Sequence, residues 1–219
     1  MISDALQRVE ERIERAAARA RRARNQITLV GVSKVMPAAA IEEAYRAGLR
    51  NFGENYVQEF QHKSAGLGPL PGAVFHLIGH LQGNKASPAA ELFHVIQTVD
   101  SIRLARRLHD TGRPLRVLIE VKLSPESAKS GVEEAGLPAL VESVRSLPGL
   151  DLQGLMVMPP WPKHPEDSRP YFSRLRQLAG QNRLRELSMG MSGDFETAIE
   201  EGSTIIRIGT AIFGPRPKH

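Results

Sequence analysis

ITLVGVS at residues 27–33, running straight into KVMPAAAIEEAYRAG at residues 34–48, decides the fold class. The first seven residues are apolar and rich in β-branched side chains, the pattern of a strand buried on both faces. From Ala38 the apolar spacing changes to that of a helix, at Ile41, Ala44 and Tyr45, and Gly48 stands where such a helix takes its C-cap. A strand feeding directly into a helix is half of a βαβ unit, and the rest of the chain repeats it. LRNFGE (49–54) precedes helical NYVQEFQHK, and AVFHLIG (73–79) precedes a helical stretch over 84–92. HVIQTVD (94–100) precedes SIRLARRLHDTG, in which Ser101 is a candidate N-cap, Ile102, Ala105 and Leu108 form the apolar face, and Gly112 is the stop. PLRVLIEVKL (114–123) is the longest strand, followed by a helix over 137–147 and the strand LDLQGLMVM (150–158), halted by Pro159 and Pro160. A helix over 171–178, strand-like RLRELSMG, a short helix in SGDFETAIEEG and a last strand in STIIRIG complete the series.

Eight strand–helix alternations, with no linker between globular halves and no fixed-period repeat, predict an α/β chain folded as a single (β/α)8 TIM barrel. The open doubly wound sheet is the weaker alternative. No G-x-G-x-x-G follows the first strand and there is no Walker A lysine, so the usual nucleotide cradles of open sheets are missing.

Working outward, residues 1–26 carry Leu6, Val9, Ile13, Ala16, Ala17 and Ala20 as an apolar stripe among arginines, which predicts an extra N-terminal amphipathic helix docked on a barrel of residues 27–214, the whole of 1–219 forming one domain. Asp4/Arg8 and Glu11/Arg15 are spaced as ion pairs along a solvated helix face. The net charge of +5 comes largely from this segment, through Arg8, Arg12, Arg15, Arg19, Arg21, Arg22 and Arg24. A nucleic-acid or other polyanion-binding arm is its weaker reading. With 219 residues, 41% of them hydrophobic and 24% charged, the chain buries one sizeable core. Cysteine is absent, which excludes disulfides, thiolate metal cages and a cysteine nucleophile. No apolar run reaches the roughly 20 residues of a membrane span, so a soluble cytoplasmic protein is expected. The seven histidines show no ligand spacing, so no metal site is expected; His76 and His80 fall across a strand end and H-E-x-x-H does not occur. Met156, Met158, Met189 and Met191 read as core or pocket lining, and Trp161 as a packing anchor in a proline-rich loop.

In a barrel the reactive side chains sit at the C-terminal ends of the strands. Lys34 directly follows LVGVS, in a chain with seven lysines against twenty-two arginines. It is either a rim lysine paired to a carboxylate or an amine held for covalent chemistry. The loops after the last two strands are the common phosphate site of such barrels. There Ser192 reads as the N-cap of the helix 194–200, and Gly209-Thr210 offer a bare backbone and a hydroxyl. A strand-end lysine beside a phosphate clamp suggests pyridoxal phosphate. Arg207, in an otherwise apolar last strand, needs a partner, either a buried carboxylate or the pyridine nitrogen of that cofactor.

These residues sit in motifs that resemble the YggS/PROSC family of pyridoxal phosphate homeostasis proteins, related to the N-terminal barrel of bacterial alanine racemase. The resemblance spans essentially the whole chain. It rests on VSK (32–34) with Pro37, FGENYVQE (52–59), FHLIGHLQGNK (75–85), SAKSG (127–131), LQGLMVMPP, SMGMSGD (188–194) and GSTIIRIGTAIFG (202–214). It implies that Lys34 carries a Schiff base to the cofactor, that Ser192, Gly209 and Thr210 hold its phosphate, that Arg207 meets the ring nitrogen, and that Asn55 lines the site. Met156 and His76 are implied more loosely as walls. The stretches 123–126 and 161–170 depart from the family pattern, away from these motifs. The implied function is non-catalytic binding of pyridoxal phosphate in its intracellular homeostasis, by buffering or by delivery to apo-enzymes, with effects on amino-acid and keto-acid balance. The alternative is a weak racemase or transaminase working through Lys34. Related racemases resemble two-domain proteins whose second domain supplies an opposing base; here Lys129 in SAKSG is the candidate second amine, with a loop role the stronger reading.

Overall fold

The computed structural model describes residues 1–124 and 130–215. In chain order its elements are α1 (Ile2–Arg19), β1 (Thr28–Val32), α2 (Ala38–Arg46), β2 (Asn51–Glu54), α3 (Val57–Ser64), β3 (Val74–Leu77), α4 (Ala86–Leu92), β4 (Val95–Val99) and α5 (Ile102–His109). Then follow β5 (Leu115–Lys122), β6 (Val132–Glu133), α6 (Leu137–Arg145), β7 (Leu150–Met156), α7 (Arg169–Gln181), β8 (Glu186–Ser188), α8 (Phe195–Glu200), β9 (Ile205–Ile208) and α9 (Thr210–Phe213). Eight parallel strands close in the ring β1-β2-β3-β4-β5-β7-β8-β9, sealed where β9 returns to β1 with Val30 opposite Arg207. The short β6 lies outside the ring and pairs with the end of β5. The fold is the (β/α)8 barrel that the strand–helix alternation implies.

Alternation along β5 shows how the strands divide their faces. Val117, Ile119 and Val121 point outward into the core shared with the helices, while Leu118 points into the barrel. Inside, Val30, Val95, Leu118, Met156 and Ile205 form a small apolar plug. Beside this plug the interior holds the polar side chains of His76, Gln97, Ser188 and Arg207, and these lead to the site. At the first strand-to-helix unit, Gly48 sits at φ +103 and lets the Leu49 amide reach back to the Ala44 carbonyl at 3.0 Å, the turn that returns the chain to β2.

The N-terminal helix ends at Arg19, short of residue 26, and packs on α2, α8 and α9 through Leu6, Val9, Ile13, Ala16 and Ala17. Several of its arginines pair away from their own helical turn, and the pairs expected at i,i+4 are replaced. Arg12 pairs with Glu196 at 3.1 Å, Arg19 with Glu200 at 3.0 Å, and Arg24 with Glu10 at 2.7 Å, while Glu11 accepts from Gln7 in place of the expected Arg15. Arg22 donates to the Ile199 and Ser203 carbonyls, closing the C-terminal end of α8. Much of the N-terminal positive charge is therefore used within the chain. On α5 the Ser101 hydroxyl caps the Leu104 amide at 3.3 Å, but the buried face is Leu104, Ala105 and Leu108; Ile102 is exposed. Among the described residues no helix is long and apolar enough to cross a membrane.

Candidate functional site

At the C-terminal mouth of the barrel a cleft of about 120 Å³ gathers Lys34, Asn55, Ser192, Arg207, Gly209 and Thr210. Six positions separated by up to 176 residues in sequence thus meet in one place, because β1, β2, β8 and β9 all end there. A larger groove of about 680 Å³ lies at the opposite end, among the first residues of β5 and β7, which is not where barrels place their chemistry.

Lys34 follows the end of β1 by two residues, and the chain then turns through Val35 at φ 58, a left-handed conformation that a β-branched residue rarely takes. Asn55 follows β2 and is set by a close backbone approach from Gly79 after β3. Gly209 and Thr210 open α9, whose first amides have no carbonyl within the helix to donate to.

Ser192 lines the cleft, but it does not cap α8. Asp194 occupies that position: its carboxylate accepts the Met191 amide and the Ser168 hydroxyl, each at 2.7 Å. The Met191 carbonyl takes the amides of Asp194 and Phe195, and those of Ser192 and Gly193 have no part in these bonds. Of this loop, Met191 and Ser192 line the cleft, and the Ser192 hydroxyl and amide are outside the bonds that hold the turn.

Arg207 is 3% exposed, and the protein partners of its guanidinium are a hydroxyl and a carbonyl where a buried carboxylate was one expectation. Its guanidinium donates to the Ser188 hydroxyl and, at 2.9 Å, to the Val157 carbonyl. Burial pushes it down to about 10, with Asp194 and Glu120 acting through space in the opposite direction. It remains charged at neutral pH. From it a hydrogen-bonded chain runs down through the barrel. The Ser188 hydroxyl donates to Gln97 Oε1 at 2.6 Å, the Gln97 amide donates to His76 Nδ1 at 2.9 Å, and His76 Nε2–H donates to Asn51 Oδ1 at 3.0 Å. The directions at His76 follow from the Gln97 and Asn51 amides, which face it with an NH2 group and a carbonyl oxygen respectively. With the amides so placed, His76 is the neutral Nε2–H tautomer. Burial, with smaller contributions from Arg116 and His94, lowers His76 to about 3, in keeping with that assignment.

His76 and Met156 consequently stand apart from the other predicted residues. The structure places both inside the barrel, below the cleft: His76 in the hydrogen-bonded chain, Met156 in the apolar plug. The walls of the cleft are instead Val32, Met36, Ile78, Met158 and Met191, with Trp161 at its edge. Trp161 is 81% exposed, so it anchors no packing. Lys129 and the rest of 125–129 lie outside the described residues.

The cleft suits an anionic aromatic aldehyde. It offers one lysine amine, a buried guanidinium at the base, hydroxyls and open amides on the loops after β8 and β9, and apolar walls. Those donors match a phosphate at one end and an acceptor nitrogen at the other.

A family model described as alanine racemase, N-terminal domain, matches residues 5–217. The chain is 45% identical to the pyridoxal phosphate homeostasis protein of Pseudomonas aeruginosa, covering 98% of this chain and 96% of that protein. It is 44% identical to the protein of that description from Aquifex aeolicus, over 96% of each. Among solved structures, PipY of Synechococcus elongatus with pyridoxal phosphate bound is 40% identical with a TM-score of 0.85, over 98% of this chain and 100% of that one. Alanine racemase from Corynebacterium glutamicum, 15% identical with a TM-score of 0.69, shares the fold over 99% of this chain and 62% of its own.

Proposed function

The chain belongs to the alanine racemase N-terminal domain family, among its pyridoxal phosphate homeostasis proteins, and from that membership we propose that it holds pyridoxal phosphate on Lys34 for intracellular storage and release. The observation that carries the reading is the meeting of Lys34, Arg207 and the Ser192 and Gly209-Thr210 loops in one cleft. When bound, the cofactor would supply an aldehyde that reacts reversibly with a primary amine. The chain's own residues do the rest. Lys34 provides the amine; Ser192, Gly209 and Thr210 neutralise and orient the phosphate by hydrogen bonds; Asn55 and the apolar walls keep the ring in place. Arg207, permanently protonated, donates to the ring nitrogen and so keeps a proton off it, which weakens the ring as an electron sink.

Among the described residues lining the cleft, Lys34 and Arg207 are the only titratable side chains. No carboxyl or imidazole stands beside them among the described lining residues, which supports holding the cofactor over turning over a substrate. The proposal takes 1–219 as one cytoplasmic binding domain, with pyridoxal phosphate-dependent apo-enzymes as acceptors.

Absorbance spectra of the purified wild type and Lys34→Ala after addition of pyridoxal phosphate test the assignment. The wild type should develop a visible band that borohydride converts to a stable protein adduct, and Lys34→Ala should show neither. Identical spectra from the two proteins would remove Lys34 from its role. Conversion of amino acids by wild type above the Lys34→Ala background would replace storage with catalysis.

A further inference from the structure

Two peptide groups flank Lys34, the Ser33 carbonyl before it and the Val35 amide after it, and side chains of α3 hold both. Lys63 Nζ donates to the Ser33 carbonyl at 2.9 Å, and the Val35 amide donates to Glu59 Oε1 at 2.6 Å. The same ammonium donates to Glu59 Oε1 at 2.9 Å and to Glu54 Oε1 at 2.8 Å, so its three N–H groups are all engaged. Glu54 Oε1 also accepts from the Ser33 hydroxyl at 2.7 Å. The Lys63 side chain is 7% exposed and that of Glu54 is fully buried, with its second oxygen, Oε2, lacking a hydrogen-bond partner among the described residues.

A buried cluster with an orphaned oxygen is a poor way to stabilise a barrel. Burial pushes the Glu54 carboxyl up even beside Lys63. If tying α3 to the barrel were its whole purpose, apolar side chains would serve, and nothing would require the second carboxylate on Glu59. What Glu59 adds is the bond to Val35. Among the described residues the non-glycine positions with positive φ are Arg21, Val35 and Arg183, and Val35 alone is β-branched. Such a conformation persists only where its surroundings impose it, and it tends to occur where a side chain must be aimed. A relaxed Val35 would rotate the peptide plane that leaves Lys34.

We propose that Glu59 and Lys63 are positioning residues for Lys34: they lock the peptide on each side of it and hold Val35 left-handed, so that its amine is presented to an aldehyde seated in the cleft. The inference rests on the reading of the cleft as a pyridoxal phosphate site. Lys63 is the poorer residue to replace, because its loss leaves Glu54 as an uncompensated buried charge. Glu59 is the informative one, with its side chain 26% exposed.

The test uses the full chain as Glu59→Ala and Glu59→Gln, with two probes. Pyridoxine phosphate has the ring and phosphate but an alcohol in place of the aldehyde, so its affinity reports the cleft without Lys34 chemistry. Pyridoxal phosphate followed by borohydride and mass measurement reports the rate at which Lys34 is engaged. Glu59→Ala should bind pyridoxine phosphate as wild type does, yet form the adduct roughly ten- to hundredfold more slowly, the usual effect of a misplaced reacting group. Glu59→Gln should recover part of that rate, since its amide oxygen still accepts the Val35 N–H. Adduct formation at the wild-type rate in Glu59→Ala would overturn the proposal. So would a parallel loss of both probes, which is the signature of a general structural role. A wild type that binds neither probe would instead sink the cofactor reading, and that result is seen before any change to α3.

Discussion

Gly79→Ala should lose about 3 kcal/mol or more of folding stability, melt roughly 6–12 °C below wild type, and bind pyridoxine phosphate measurably more weakly. A methyl group at Gly79 would stand 2.3 Å from the Asn55 carbonyl oxygen, 2.7 Å from its Cα and 2.8 Å from its carbonyl carbon. All three are backbone atoms, so no rotamer change relieves the contact; either β3 or the end of β2 must move. The conformation of Gly79 is not itself strained, which makes the expected loss a matter of space alone. Because the displaced atoms belong to Asn55, the disturbance reaches the cleft directly. Gly180→Ala is the matched control. Gly180 lies within α7, and nothing lies within 4 Å of the position its Cβ would take. That substitution should raise stability by about 0.5–1 kcal/mol through helix propensity and a less flexible unfolded chain. Thermal unfolding of the three proteins with and without pyridoxine phosphate checks both halves, and a Gly79→Ala protein that melts with wild type would refute the close approach.

How much of this was legible beforehand depends on which physical signal each residue carries. The strands were legible because β-branched apolar runs have few alternatives, and Lys34 and Arg207 because a charge at or within such a run demands a reason. The hydrogen-bonded chain beneath Arg207 was not. Gln97 within VIQTV and Asn51 within RNFGE look like residues on a solvent-facing edge, and only closure of the ring turns them inward. His76 was therefore assigned to a wall when its role is two residues deeper. Glu59 and Lys63 failed to register for the opposite reason. An i,i+4 carboxylate–lysine pair on a helix ordinarily means a solvated face, and nothing in the sequence says that this face docks under β1. The start of α8 was misplaced because Ser192-Gly193-Asp194 offers two capping residues within three positions, and the choice was settled by Ser168, distant in sequence. Local chemistry was readable; partners supplied by other loops were not.

Wild-type stability should fall by about 2 kcal/mol between roughly pH 7 and pH 5 through His76 alone, and the fall should vanish from a His76→Gln protein. The unfolded imidazole takes up a proton near its ordinary value of 6.5, whereas the folded one resists until about 3. Between those values the unfolded state binds more protons, so stability drops as pH drops, by at most about 5 kcal/mol once the folded value is passed. His94, also lowered chiefly by burial, acts with the same sign. The buried carboxyls of Glu54 and Glu120 act with the opposite sign. Burial raises both, so acidification toward their ordinary range favours the folded state and offsets part of the loss. Comparing slopes rather than absolute stabilities separates these contributions. At neutral pH His76→Gln should be the less stable protein by about 1–3 kcal/mol, because the Gln97 amide loses its buried acceptor. On acidification the gap should narrow by about 2 kcal/mol, as only wild type has to keep an imidazole neutral against the solvent. Urea unfolding at three pH values decides it, with parallel slopes counting against the neutral buried imidazole. The same neutrality matters to the cleft. A protonated His76 would lose its Nδ1 acceptor and force the Gln97 amide to turn over, which reverses the bond to the Ser188 hydroxyl that supports Arg207. By resisting protonation until about 3, His76 keeps the hydrogen-bonded chain beneath Arg207 in one arrangement throughout the neutral pH range.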